Sequence, residues 1–421
     1  MTSAATPLEP ASTAPVGAAP VSGAERIATL DILRGFALFG ILVMNIQAFA
    51  MIAAAYINPP AVAPTGAAEY AIWLISHVFF DKKFITLFTM LFGAGIVLMT
   101  QRAEAAGNGA LSLHYRRMFW LLMIGLIHAY LIWYGDILTA YALIGMVAVF
   151  MRHWSPRRLV IVGLALLAVQ QGLFALIGAG INMLPPEEIA IIADESWLAT
   201  GSHALAEIAA YRGSFAEQLA MRVEQSVAMH FFGIPTEQFL YLLGVMALGM
   251  AAFKSGLLTG EWSNRAYLRL AVTGLALGLP LIGLGVVMNE NAGWEMTFSL
   301  YFGRMPNTLA APLLAFAYIA LVILAARRFG PAMQAVFAPV GRMAFSNYLA
   351  QSIICTFIFY GHGLGLFMEV GRVGQILIVL AIWIAMPFWS RAWLARFRFG
   401  PAEWLWRSLV YRKAQPMRRH A

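Results

Sequence analysis

Residues 159–181 read LVIVGLALLAVQQGLFALIGAGI, a run without a single formal charge. As a helix rising 1.5 Å per residue it reaches about 35 Å, enough to cross a hydrocarbon core of about 30 Å. Residues 36–55, FALFGILVMNIQAFAMIAAA, have the same property. Outward from these stretches, the 421-residue chain is 61% hydrophobic and only 11% charged. A soluble domain carries about 25% charged residues, because a water-facing surface needs them. The composition therefore excludes a soluble enzyme, a fibrous protein and a disordered chain. It specifies an all-α, polytopic membrane protein.

Hydrophobic segments near 33–55, 82–100, 117–134, 137–151, 158–183, 236–253, 267–288, 305–326, 343–361 and 373–394 predict about ten transmembrane helices. They divide the chain into a tail at 1–24, a transmembrane helical domain at 25–398 and a basic cytoplasmic C-terminal tail at 399–421. The N-terminal tail is rich in Ala, Pro, Ser and Thr and reads as disordered. It has no basic segment leading into an apolar one, so it is not a signal peptide. Region 69–83 reads as a separate amphipathic helix before the second span. The loop at 184–235 carries Trp197, Leu205, Ile208, Tyr211, Phe215, Leu219 and Val223 at helical spacing, which predicts short amphipathic helices outside the membrane.

The loop charges orient this arrangement. One set of loops holds Arg26, Arg102, Arg116, Arg117, Arg152, Arg157, Arg158, Lys254, Arg265, Arg269, Arg327, Arg328 and Arg342, followed by the basic tail. The alternate set is acidic, with Glu69, Asp136, Glu187, Glu188, Glu207, Glu224, Glu290 and Glu369 among its members. The positive-inside rule then makes both termini cytoplasmic, in a multi-pass protein of a cytoplasmic membrane. The net charge of +8 is spread over many short loops, so nucleic acid is not a partner. Cys355 is the lone cysteine and lies in an apolar run, so neither a disulfide framework nor a thiolate metal cluster is expected. His114, His153, His203, His230 and His420 lack metal-ligand spacing, and no metal site is expected.

Inside a membrane helix the informative residues are the ionisable ones, since each costs roughly 2.5–3.5 kcal/mol at the bilayer centre. The first span, LDILRGFALFGILVMNI at 30–46, sets Asp31 and Arg34 one turn apart, where they can pair. Asn45 returns to the same face about 16 Å further along. Asp81, Lys82 and Lys83 open the second span, with Lys83 the residue expected to point inward, and Gly93 and Gly95 permitting close helix approach. His128 lies about two turns below the short turn at Gly135–Asp136. Its imidazole suits general-base work, and Asp136 is placed either to orient it or to cap the following helix. Later, Asn347 and Gln351 share one face, which predicts interhelical hydrogen bonds or a polar cavity, and Arg304, Asn307, Arg342, Tyr348 and His362 add further polar positions.

Five blocks in order, LDILRGFALFGILVMNI, KFITLFTMLFGAG, RRMFWLLMIGLIHAYLIWYGDILTAYALIGM, GRMAFSNYLAQSIICTFIFY and GPAEWLWRSLVY, closely resemble the bacterial YeiB-like family. That is a domain-of-unknown-function family of multi-pass inner-membrane proteins, and the likeness covers nearly the whole chain after the tail. More distantly, Asp31, Arg34–Gly35 and Asn45 resemble the opening of the transmembrane acyltransferase superfamily. Its members include the lysosomal heparan glucosaminide acetyltransferase and the acyltransferases that decorate bacterial surface sugars. The sugar-decorating branch has histidine at the position of Asn45. The heparan enzyme has asparagine there and a histidine in the next outer loop, to which His77 is the nearest counterpart.

The resemblance implies transfer of an acyl group from cytoplasmic acyl-CoA to an acceptor across the membrane. In that reading Asp31 and Arg34 hold the phosphate of the donor, and Lys83 holds the thioester or its negative charge. His128 deprotonates the acceptor, Asp136 orients it, and Asn45 donates to the carbonyl oxygen. Acyl-CoA is then a co-substrate rather than a resident cofactor, and the acceptor is a sugar, lipid or peptide. The same polar stripe also suits a proton-coupled transporter or flippase, and a non-catalytic scaffold and a homo-oligomer stay open.

Overall fold

The computed structural model describes residues 27–62 and 66–419. The N-terminal tail, Arg26 and His420 lie outside the described residues. The helices run in the order α1 Ala28–Ala50, α2 Ala53–Ile57, α3 Ala67–Phe79, α4 Lys83–Ala105, α5 Ala110–Leu131, α6 Leu138–Ala148 and α7 Pro156–Ile181. They continue with α8 Pro186–Ser196, α9 Ser202–Arg212, α10 Phe215–Ala228, α11 Phe239–Lys254, α12 Asn264–Asn291 and α13 Met296–Phe298. The last are α14 Met305–Arg328, α15 Gly330–Arg342, α16 Ala344–Phe359, α17 Arg372–Arg396 and α18 Pro401–Tyr411. No strand forms among the described residues; one isolated bridge joins Phe397 and Arg418.

The chain is a polytopic helical membrane protein. Seven helical stretches are long and apolar enough to cross a bilayer by length and composition, and α6 with its 3-10 extension and α16 are shorter apolar helices. Nine of the ten predicted segments fall on these stretches and shorter helices, with 33–55 running past the end of α1 into α2, and the tenth, 117–134, falls on α5. Burial sorts them into layers: the best spanning window of α1 is 72% buried, whereas those of α7, α12 and α17 are only 28% buried. So α1 is the axis of the bundle, and α7, α12 and α17 turn apolar faces to lipid.

Close approach around this axis depends on glycine. A Cβ on Gly249 of α11 would stand 2.1 Å from the Met90 carbonyl oxygen of α4, and one on Gly93 of α4 would stand 2.3 Å from that of Met246. Gly95 differs from the expectation, because nothing lies within 4 Å of its Cβ position. It leaves space rather than allowing contact.

Two ends of the bundle differ in character. The N-terminal end of α1, the C-terminal end of α4, the start of α5 and the helix α18 come together around arginines, which defines a basic face. The segment from α8 to α10 crosses the opposite end. There Glu207 accepts the Ala53 N–H, Asn58 donates to the Trp197 carbonyl, and Trp197 donates to the Trp294 carbonyl. This segment is helical as expected, and its buried face mixes apolar residues, Trp197, Tyr211 and Met221, with polar ones. Leu205, Phe215 and Val223 are exposed, while Glu207, Gln218, Arg222 and Ser226 are buried. The reason is that the segment covers helix ends, whose last carbonyls need donors. Arg222 donates to the Leu131 carbonyl at 2.7 Å and Ser226 to that of Ala129 at 3.1 Å, both on the last turn of α5. Burial raises the Glu207 carboxyl above its ordinary value.

Two helices lie where the sequence reading left basic loop or tail. Helix α15 packs on α1, with Gly35 and Gly341 at the crossing; a Cβ on Gly341 would meet the Asp31 carbonyl oxygen. Helix α18 docks against α5 and α16. Its Glu403 accepts the N–H groups of Phe345 and Ser346 and the Ser346 hydroxyl, so it serves the first turn of α16.

Gly249→Ala is expected to destabilise the protein by about 1–3 kcal/mol through overpacking against Met90. Gly95→Ala is expected to be neutral or slightly stabilising, since it adds helix propensity in open space. Thermal unfolding of the two detergent-purified variants against wild type checks both.

Candidate functional site between two cavities

Helix α5 ends at Leu131, and the turn at 132–137 folds back so that α6 begins beside the helix it has just left. Gly125 makes this return tight: a Cβ there would stand 2.6 Å from the Thr139 nitrogen and 3.1 Å from Asp136 Oδ2. Asp136 thereby reaches two partners. Its Oδ2 accepts the Thr139 N–H at 2.7 Å, and its Oδ1 lies 2.9 Å from His128 Nδ1. Both alternatives drawn from the sequence hold together, because one carboxylate orients the histidine and supports the start of α6.

A carboxylate accepts hydrogen bonds, so Nδ1 donates to Asp136 in this geometry, and in the neutral ring Nε2 is then the acceptor, through its lone pair. That lone pair faces Ser352 Oγ of α16 at 2.9 Å. The His128 and Asp136 side chains are only 1% and 0% exposed. Water therefore does not compete for these bonds.

On the basic face, two adjoining cavities of about 230 and 250 Å³ share Asp31, Arg34, Gly95, Arg117, Trp406 and Arg407 in their walls. Arg102 and Arg342 add further positive charge, one to each. Asp31 pairs with Arg34 at 3.2 Å, as expected. Arg117 lies 4.8 Å over the Trp406 ring, and Trp406 Nε1 donates to the Arg117 carbonyl, which ties α18 to the mouth. Further in, the larger cavity is apolar, lined by Leu38, Phe88, Leu91, Phe92 and Leu121, and it ends at Ile137, Leu138, Tyr141 and Tyr348. The Tyr348 ring centroid is 5.2 Å from that of His128.

A third cavity, of about 850 Å³, opens beneath the α8–α10 segment. Tyr134, His203, Glu224, Gln225 and Glu237 are among its lining residues. His128 and Asp136 line none of the three cavities: Tyr348 stands between the pair and the basic-face cavity, and Tyr134, two positions before Asp136, lines the third.

The six candidate residues separate into groups. Asp31 and Arg34 line both basic-face cavities, and His128 and Asp136 form one pair. Asn45 is half-buried on α1 and lines none of the three cavities. Lys83 is fully buried but belongs to a different cluster at the start of α4. Its Nζ donates to the His77 carbonyl at 2.7 Å and to Asn307 Oδ1, and Asn307 donates to Asp81 Oδ2. Asp81 also lies 3.2 Å from His77 Nδ1, a second His–Asp pair but one more open to solvent, with side chains 18% and 14% exposed. Asn347 bonds to Val340 and Ser390, and Gln351 to the Leu38 carbonyl, so the predicted interhelical bonds are present.

Sequence reasoning gives no site role to Ser352, Arg117 or Trp406 and marks Tyr348 only as a polar position of its block. Arg117 was counted only as a loop charge, and a lone serine in an apolar helix carries no signal of its own. Ser352 follows Gln351 directly in the block SNYLAQS, and only the fold brings it to His128.

A family model described as a protein of unknown function, DUF418, matches residues 252–413. The chain is 32% identical over 404 residues to the uncharacterized protein YeiB of Escherichia coli (strain K12), covering 93% of this chain and 98% of that protein. It is 35% identical over 408 residues to the uncharacterized protein YxaH of Bacillus subtilis (strain 168), covering 93% and 96%. An uncharacterized 39.9 kDa protein from the amylase 3' region of Bacillus acidopullulyticus is 27% identical over 403 residues, covering 94% and 97%.

Asp136→Ala leaves the buried Thr139 N–H and the His128 Nδ1–H without acceptors, each a cost of about 1–3 kcal/mol. The variant is expected to unfold at clearly lower temperature than wild type. Asp136→Asn keeps one acceptor oxygen and is expected to lose less, as thermal unfolding of the pair checks.

Proposed function

We propose that this chain, which belongs to the YeiB-like family, is a transmembrane acyltransferase. In this reading the basic face is cytoplasmic, in keeping with the positive-inside rule, and receives an acyl-CoA. The acceptor enters the cavity beneath α8–α10 from the other side. The observation that carries the proposal is the buried His128–Asp136 pair directly behind Tyr348, which lines the arginine-mouthed cavity.

The shape of the basic-face cavity suits such a donor. Phosphates are held at a mouth lined by Arg34 and Arg117, whose planar guanidinium groups match phosphate oxygens in pairs. The apolar neck takes the acyl chain and directs its thioester toward Tyr141 and Tyr348. His128, held by Asp136 in the tautomer with a free Nε2, is the base. The Tyr348 hydroxyl at the end of the cavity is the proposed donor to the carbonyl oxygen, and this reading gives Asn45, which lines none of the cavities, no part in that step. Lys83 is already committed to Asn307 and the His77 carbonyl, and this reading gives it the task of holding the start of α4. The acceptor cavity carries Glu224 and Glu237, which favours a neutral hydroxyl or an amine over an anion.

Purified protein is expected to bind acetyl-CoA or octanoyl-CoA, and Arg34→Ala to bind about ten- to a hundredfold more weakly, the worth of one charge-assisted hydrogen bond. His128→Ala is expected to keep donor affinity and lose transfer by about 10²–10⁴-fold. Calorimetric titration and release of free CoA thiol measure the two effects. Absence of binding to any acyl-CoA overturns the proposal, and proton-driven uptake lost in His128→Ala would put a transporter in its place.

A further inference from the structure

We propose that Ser352 is a nucleophile that carries the acyl group between donor and acceptor, so that the reaction runs through a covalent ester. The inference rests on the acyltransferase reading and adds the order of events to it.

Three observations meet at this side chain. His128 Nε2 stands 2.9 Å from Ser352 Oγ while Nδ1 stands 2.9 Å from Asp136 Oδ1. With Nδ1 donating to the carboxylate, a neutral ring offers its Nε2 lone pair to the Ser352 proton at 2.9 Å, the Tyr348 carbonyl at 3.3 Å being the longer alternative acceptor. This chain of hydroxyl, imidazole and carboxylate is the arrangement that activates a serine elsewhere in acyl-transfer chemistry. Second, Ser352 lies one helical turn after Tyr348, on the same face of α16, and Tyr348 closes the inner end of the basic-face cavity. The donor's reactive end is therefore delivered within a turn of the serine. Third, the Tyr348 hydroxyl is buried without a side-chain partner, a donor still available to a negative oxygen.

A carrier also suits the separation of the two cavities. Donor and acceptor enter from opposite faces, and an acyl group parked on Ser352 removes the need for both to be bound at once.

The steps balance. In the first, Ser352 Oγ attacks the thioester carbonyl as His128 Nε2 takes its proton, and the resulting tetrahedral oxyanion is met by the Tyr348 hydroxyl. The C–S bond breaks, and the thiolate leaves with the proton from Nε2 as free CoA. In the second, the acceptor hydroxyl or amine gives its proton to Nε2 and attacks the Ser352 ester. The C–O bond to Ser352 breaks, and Oγ recovers the proton from His128.

The test uses full-length protein in nanodiscs without acceptor, with radiolabelled acetyl-CoA and, separately, a fluorophosphonate that labels activated serines without any acyl-CoA. The proposal expects an acid-stable acetyl label on the peptide carrying Ser352, and fluorophosphonate labelling of the same residue. Both are expected to vanish in Ser352→Ala and His128→Gln, while acetyl-CoA still binds. Ser352→Cys keeps a nucleophile in nearly the same volume and is expected to form a thioester released by neutral hydroxylamine, which guards against loss through misfolding alone. Binding of acetyl-CoA with no label at Ser352 from either reagent overturns the inference and leaves the acyltransferase reading standing. So does transfer at the wild-type rate in Ser352→Ala. Failure of acetyl-CoA and octanoyl-CoA to bind at all removes both.

Discussion

One carboxylate organises the centre of this protein. A buried, unpaired charge in a membrane bundle is costly, so Asp136 is tolerable only because each of its oxygens has a donor. One donor is the backbone of the helix it begins, and the other is the ring of the helix it follows. The bond to His128 fixes the tautomer, and the bond to Thr139 fixes where α6 starts. Both require α5 and α6 to run nearly in contact, which they do because residue 125 has no side chain to separate them. The alignment of His128 with α16, the end of the basic-face cavity and the floor of the opposite cavity are all consequences of that packing.

The α8–α10 segment solves a related difficulty. Short helices such as α6 leave helix ends below the level of their neighbours, where carbonyls need donors and water is scarce. Arg222 and Ser226 supply donors to the end of α5, and Glu207 supplies an acceptor to the start of α2. The segment therefore buries polar groups beside Tyr211 and Met221, and leaves Leu205, Phe215 and Val223 outside.

The spanning helices were legible in the sequence because absence of charge over twenty residues has almost no other physical meaning. Asp31 with Arg34, and His128 with Asp136, were legible because an ionisable group in such a run needs a nearby partner, and local spacing identifies it. Three features were hidden for separate reasons. Helices α15 and α18 are short and lie among arginines, so they look like loop. The burial of Arg222 and Glu207 depends on which helix ends lie beneath them, a tertiary fact. Ser352 is 224 residues from His128, and nothing local distinguishes a reactive hydroxyl from one that merely bonds to its own helix. Lys83 shows the converse limit, since its burial was legible but its partner Asn307 was equally remote.

The wall that α18 contributes is fastened at two points: Glu403 holds the first turn of α16, and Trp406 donates to the Arg117 carbonyl of α5. A displacement of this one amphipathic helix would therefore move the mouth of the basic cavities and the start of α16 together. The outermost helix of the basic face is thus mechanically coupled to the helix that carries Tyr348 and Ser352.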